Sequence, residues 1–435
     1  MSDSKQKLAL YGGRPEICEP AEALFHWPIV TPEDEAAVLG VLRAGTMSGT
    51  EITRQFETEF ADYMELPFAL ATCNGTAAIQ AALWACGIGA GDEIICPSMT
   101  YWASALPALM LGATVNFADI DARSLCIDPA DIEGRIGART KALVVVHYAG
   151  HPCDMDPIME IARRRGIMVI EDMSHAHGSL YKGTKCGTFG DIAAMSMMAG
   201  KSFPIGEAGM IVTGNRQLYE RCVAFGHYER TGVATRWNRQ DGLITDPELA
   251  PYRGVPLGAA KHRVNQICSA MGRVQLKRYP QRIEEIQQAM NCFWDQLADL
   301  PGLKAHRIES GSGSTMGGWY YPQGLYRAEE LGGLSCARFC EAMRAEGVSD
   351  CAPGGNDPLH LHPVFHNADI FHMGQPTVLA FGQRDVRQGR GTLPVSERIR
   401  ESVVTVPWFK HYEPEQIRIY VRAFRKVVTN HDQIL

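Results

Sequence analysis

Between residues 68 and 213, short runs of β-branched and small apolar residues alternate with stretches of helical periodicity, and this alternation narrows the fold more than any other feature. The strand-like runs are 68–72, 93–96, 114–117, 142–147, 168–171, 192–196 and 210–213. Helical patterns lie between them, such as 76–86, followed by Gly87, and 156–165, followed by Gly166. Gly166 suits the C′ position of its helix, and Asp154 or Asp156 can cap its start. Strands and helices alternating at this length predict an α/β fold, a mainly parallel seven-stranded sheet with helices on both faces. In such sheets ligands bind at the carboxyl ends of the strands, so residues just after each run carry the functional expectation.

The chain has 435 residues against a soft expectation of ~150 per domain, so more than one domain is expected. The sequence divides into an arm over 1–20, a large domain over 21–285 and a smaller α+β domain over 286–435. A helical stretch at 282–300 links the last two, with further helices at 335–346 and 413–429. Residues 227–260, rich in Gly, Pro, Arg and Tyr, read as long surface or substrate loops, and 352–392 as irregular. Hydrophobic residues at 46% provide a real core, and Lys+Arg 42 against Asp+Glu 49 leaves a charge of −7. That balance excludes a general binder of nucleic acid or anionic membrane. No apolar run approaches the ~20 residues of a membrane span. The apolar Leu8–Leu10 after the polar start is too short for a signal peptide. Thirteen cysteines without a C-x-x-C pair read as reduced thiols of a cytoplasmic enzyme. Gly87-Ile-Gly89-Ala-Gly91 follows a helix and precedes a strand, the wrong context for a dinucleotide fingerprint, which points away from a nicotinamide enzyme.

Four places could carry chemistry. Lys201, in Ser196-Met-Met-Ala-Gly-Lys201, sits between a buried-looking run and the Gly-rich Gly206-Glu207-Ala208-Gly209. It is either a solvated lysine or, desolvated among small apolar neighbours, an amine of lowered pKa suited to a Schiff base. Asp172 ends a strand and either caps the next turn or faces the ring nitrogen of a lysine-bound pyridoxal phosphate. Asn74-Gly75-Thr76 opens a helix, as ordinary capping or as an anion site for a phosphate. Tyr101 follows a strand, as core or as a stacking partner for a flat ring.

These motifs stand in the order found in DegT/StrS-type sugar aminotransferases, fold type I pyridoxal-phosphate enzymes, and the chain resembles that family over nearly its whole length. The matches are Leu10-Tyr-Gly-Gly-Arg-Pro, Ser48-Gly49, Phe56-Glu57, Asn74-Gly75-Thr76-Ala77-Ala78, Gly91-Asp92-Glu93, Arg139-Thr140-Lys141-Ala142, Glu171-Asp172, Lys201 with Gly206–Gly209, Lys261-His-Arg263, Gln275-Leu276 and Leu393-Pro394-Val395. The resemblance implies that Lys201 carries pyridoxal 5′-phosphate and shuttles the proton, and that Asp172 pairs with the ring nitrogen. It also implies that Tyr101 stacks on the ring, that Gly75, Thr76 and Ser196 hold the phosphate, and that His175 lies near the ring hydroxyl. Lys261 would reach the phosphate of a neighbouring subunit, so a homodimer with shared active sites is implied.

The implied reaction moves an amino group from glutamate or glutamine to a keto-sugar or keto-cyclitol in aminosugar or aminocyclitol biosynthesis. Ala208 within Gly206–Gly209, Met197-Met198 before the lysine, and Lys261 in place of Asn depart from the common pattern. The Lys261-His-Arg263 triplet, the long 227–260 segment and the Met197–Gly200 stretch resemble the inosose aminotransferases more than the nucleotide-sugar ones. A lyase or dehydratase on the same scaffold and a non-catalytic regulatory relative are the alternatives; a lysine at 201 speaks against the dehydratase branch that carries His there. His360, His362, His366 and His372 invite a metal reading, with His360 and His362 sharing one face of a strand. A closed zinc site needs four ligands, so a substrate-lining or hydrogen-bonding role is preferred and no metal is expected. Arg384 and Arg387 either meet an acidic group of the amino donor or form surface pairs.

Overall fold

The computed structural model describes residues 6–232 and 244–435. All seven expected strands form: β1 Phe68–Thr72, β2 Glu93–Pro97, β3 Thr114–Ala118, β4 Thr140–Val146, β5 Met168–Asp172, β6 Ile192–Ser196 and β7 Gly209–Thr213. They make one sheet in the order β1-β7-β6-β5-β4-β2-β3. Only β7 runs against the rest, pairing antiparallel with both β1 and β6. The near-continuous apolar runs are explained by burial of both faces. Ala142, Val144, Ile170 and Ile211 pack on one face, while Leu143, Val145, Val169 and Val212 pack on the other. Each such side chain contributes about 1.5–3 kcal/mol on leaving water.

Among the described residues the helices of ten residues or more are α1 Pro32–Ala44, α2 Glu51–Met64, α3 Gly75–Ala85, α4 Met155–Arg165, α5 Arg216–Gly226, α6 Gln266–Asp295, α7 Cys336–Ala345 and α8 Pro414–Thr429. The left-handed Gly166 (φ 66°) ends α4 as expected. Neither aspartate caps its start by a hydrogen bond: Asp154 accepts from the Tyr181 hydroxyl at 2.6 Å, and Asp156 pairs with Lys182.

The linking helix begins at Gln266, well before the expected 282, because Asn265 caps it by accepting from Cys268 N and the chain continues helically through Pro280. Along α6 the packing changes hands. Leu276, Tyr279 and Ile283 belong to the core on one face of the sheet, whereas Ile286, Met290, Phe293 and Trp294 belong to a separate C-terminal core. That second core also holds Phe339 of α7, Phe424 of α8 and Val404 of a small antiparallel sheet formed by β8 Leu303–Ala305, β9 Gln323–Tyr326 and β10 Val403–Thr405. Leu8, Ile17 and Leu24 of the N-terminal segment join it, and Glu346 accepts the Ala9 and Glu16 amides.

Of the 227–260 segment, 233–243 lie outside the described residues, as do 1–5; the rest contains short turns at Tyr228–Arg230 and Ala250–Tyr252. The thirteen cysteines are free thiols. Among the described residues no helix is long and apolar enough to cross a membrane.

Candidate active site

The carboxyl ends of β1, β2, β4, β5 and β6 open on one cavity of about 500 Å³, whose lining includes Gly75, Thr76, Tyr101, Asp172, His175, Ser196 and Lys201. Its position follows from the topology: the loop after every parallel strand reaches the same edge.

One end of the cavity is the start of α3. The Asn74 side chain caps the helix through Ala77 N at 2.8 Å, leaving the amides of Gly75 and Thr76 without helical carbonyls to bind. Gly75 cannot carry a side chain here, since a Cβ would lie 2.6 Å from Ser196 Cβ. The helix terminus therefore packs directly on the end of β6, bringing Ser196 against amides that the helix leaves unpaired. That is a cradle for an anion.

At the other end stands Asp172, 5% exposed, its carboxylate fixed by the Ser104 hydroxyl at 2.7 Å and the Ser174 amide at 2.9 Å. Both donors fix the direction in which the carboxylate points. Between the two ends lies Lys201, 8% exposed, in the bend that joins β6 to β7. The bend is clipped by Met197 N to Ala208 O at 2.8 Å and by Lys201 N to Met198 O at 2.8 Å, and the Trp27 indole donates to Lys201 O at 2.9 Å. Burial pulls the Lys201 amine down to about 8, with Asp172 opposing the shift. Its Nζ stands 4.0 Å from the centre of the Tyr320 ring. Such an amine yields the neutral form that a nucleophile or general base requires far more readily than an exposed lysine.

His175 is buried against Tyr320 and Tyr148, at ring distances of 4.7 and 5.3 Å, and takes the Ala149 amide on Nδ1 at 3.3 Å. Burial first, then the charge of Lys201, pushes it well below its ordinary range, so it is neutral and can donate or accept a hydrogen bond. Tyr101, 50% exposed, leans on Trp102 at the cavity mouth with centroids 4.9 Å apart.

Lys261 is the expected residue that the cavity does not include. It is exposed, with Nζ 5.4 Å above the Tyr228 ring, although its neighbour His262 accepts the Cys73 amide beside the anion cradle. The histidines do not lie on a strand: Leu359–Leu361 and Pro363–Phe365 are tight helical turns. His360 is buried there, 2.6 Å from the Ser98 hydroxyl and 3.1 Å from Glu397. Arg384 closes on Glu93 through two hydrogen bonds of 2.9 and 2.6 Å, and Arg387 pairs with Asp385, so both are spent on ion pairs.

Several lining residues escaped sequence reasoning: Ser104, Ser174, Tyr320, Tyr321 and Asn356. Tyr320 and Tyr321 come from an irregular stretch in which Trp319 and Tyr321 hold left-handed backbone (φ 51° and 57°), a conformation bulky residues rarely take outside functional sites. The visible signal was Gly317-Gly318 followed by three aromatics.

An amide cradle for a phosphate, a buried reactive amine and a fixed carboxylate, set around one cavity on a mainly parallel sheet, define a fold type I pyridoxal-phosphate enzyme. These residues fit that cofactor in size and charge. The description of the DegT/DnrJ/EryC1/StrS aminotransferase family matches residues 28–425, and the chain belongs to that family. It is 31% identical to the L-glutamine:2-deoxy-scyllo-inosose aminotransferase of Streptomyces kanamyceticus, over 97% of both chains. It is 39% identical to the GDP-perosamine synthase of Escherichia coli O157:H7 over 57% of this chain, a match spanning 63% of that enzyme, under two thirds of its length. Among solved structures, an aminotransferase from Psychrobacter cryohalolentis superposes with a TM-score of 0.78 at 30% identity, covering 93% of this chain and 98% of the other.

Proposed function

We propose that the protein moves an amino group from glutamate or glutamine to a keto-sugar or keto-cyclitol, working as a homodimer in the biosynthesis of amino sugars or aminocyclitols. The observation that carries this reading is the buried Lys201 amine, its hold on a proton weakened by burial, set between a carboxylate and an anion cradle. Pyridoxal phosphate, when bound, supplies an aldehyde that captures amines and a ring that accepts electrons from the adjacent carbon. The chain does the rest. The amides of Gly75 and Thr76, with Ser196, would bind and orient the phosphate. Asp172, pinned by Ser104 and Ser174, would face the ring nitrogen and favour its protonated form. Lys201 Nζ would serve as the base that takes a proton from the donor carbon and would return one to the acceptor carbon in the second half-reaction.

Full-length similarity to an inosose aminotransferase supports a cyclitol-like acceptor. An exposed Lys261 beside the cradle, outside its own cavity, supports a subunit partner whose site it completes.

The test supplies donor labelled with ¹⁵N at the amino group, together with inososes, keto-sugars and nucleotide keto-sugars. The expected result is label in the acceptor, one 2-oxo acid formed per amine. Loss of ammonia or water from a substrate without label transfer would replace this reading with a lyase. For the dimer, mixing Lys201→Ala with Lys261→Glu subunits should restore activity that neither shows alone, because one intact site is rebuilt across the interface.

A further inference from the structure

Beside the first cavity lies a second of about 580 Å³, sharing Tyr320 and Tyr321 as a common wall and bordered by Ala199 and Gly200 just before the reactive lysine. It is formed where the N-terminal segment meets the end of β10: the Lys410 amide donates to Leu24 O, and Trp27 and Trp408 lie 5.6 Å apart. Trp408 in turn meets Tyr320 edge-on at 5.7 Å. Aromatic faces thus run from Lys201 into the second cavity without a break.

Two charged groups stand on this wall, Lys410 and Asp350. Lys410 Nζ donates to Phe25 O at 3.1 Å and lies 4.7 Å above the Trp408 ring. Among the described residues no carboxylate lies within salt-bridge distance of it, and the carboxylate of the exposed Asp350 accepts from the Ser349 hydroxyl at 3.3 Å, while its carbonyl accepts from Thr405 at 2.7 Å. The first cavity offers no side-chain cation besides Lys201 among its described lining. A separated ammonium and carboxylate on the wall of this second, aromatic-lined cavity form one donor and one acceptor with no net charge. A carboxylate ligand would meet Asp350 as a like charge; a primary carboxamide satisfies both, its oxygen taking the ammonium and its NH₂ the carboxylate.

We propose that this second cavity recognises the side-chain end of the amino donor as a primary carboxamide, with Lys410 and Asp350 selecting glutamine over glutamate. The inference rests on the aminotransferase reading and names one of its two donors. The aromatic walls cover the donor's methylene groups, and the amino end lies toward Lys201. Burial draws the Lys410 amine down to about 8, opposed by Asp350, so it remains mainly charged near neutral pH.

The test compares kcat/KM for glutamine and glutamate, at saturating acceptor, in the cofactor-loaded enzyme and in Asp350→Asn and Lys410→Gln. Wild type should favour glutamine by at least tenfold. Asp350→Asn, a surface change that leaves folding intact, should lose most of that preference by improving glutamate. Lys410→Gln should lower kcat/KM for glutamine by about 10- to 100-fold, as expected for a lost charge-assisted hydrogen bond, while leaving the acceptor KM unchanged. Equal use of both donors by wild type would overturn the inference while leaving aminotransfer standing. So would equal effects of the substitutions on both donors, or an effect on the acceptor alone. Absence of transfer from either donor would remove the aminotransferase reading itself, and this inference with it.

Discussion

The half of the site built by the parallel sheet and the half contributed by the C-terminal part differ in how their residues are held. In the first, Asp172, Ser196, Lys201 and the Gly75–Thr76 turn stand at strand ends whose positions are set by register, and each side chain has fixed neighbours. In the second, Tyr320, Tyr321, Asn356 and Lys410 come from irregular chain held by left-handed backbone, a Trp408-to-Gly318 hydrogen bond and aromatic contacts. In the proposed reaction the sheet half would supply the groups that move protons, and the other half would shape what is admitted.

Substitutions can break that contrast, beginning with the largest effect. Lys201→Ala should reduce amino transfer by about 10²–10⁴-fold or more, measured as label appearing in the acceptor. A variant retaining full turnover would mean that the proton travels elsewhere. Asp172→Asn keeps the shape but removes the charge, and should cost about 10- to 100-fold in kcat with little change in melting temperature.

Gly75→Ala forces a Cβ to 2.6 Å from Ser196 and should destabilise the protein by about 1–3 kcal/mol while weakening phosphate binding. Denaturant melts and a phosphate titration would check both. On the other side of the cavity, Tyr320→Leu removes the ring under the Lys201 ammonium and should change kcat/KM by only about 0.5–2 kcal/mol. An effect as large as that of Asp172→Asn would erase the distinction between the halves.

The smallest and sharpest test is a pH profile. In cofactor-free protein the reactivity of Lys201 toward an amine-selective reagent should rise with pH and level off above about 8, because only the neutral amine reacts. An exterior lysine would still be rising toward ~10.4.

The same division explains what could be read from the sequence. Runs such as Val144–Val146 or Ile192–Ser196 announce themselves because a strand buried on both faces must be apolar throughout, and strand order then delivers Asp172, Ser196 and Lys201 to one edge. Tyr320 and Asn356 carry no such periodicity; their place depends on tertiary packing of loops. The start of α6 was hidden by Pro280, which reads as a break although the helix passes through it. His360 was misplaced because spacing by two mimics a strand in a segment that turns tightly instead.

That helix has a mechanical consequence. With 30 residues it is a rod about 45 Å long, anchored in one core near its start and in another near its end. Pro280 lacks the amide that would bind the Leu276 carbonyl, leaving the rod its softest joint just before it passes from one core to the next. A bend at that joint would tilt one core against the other, so a residue remote from the chemistry would set how the two walls of the site meet.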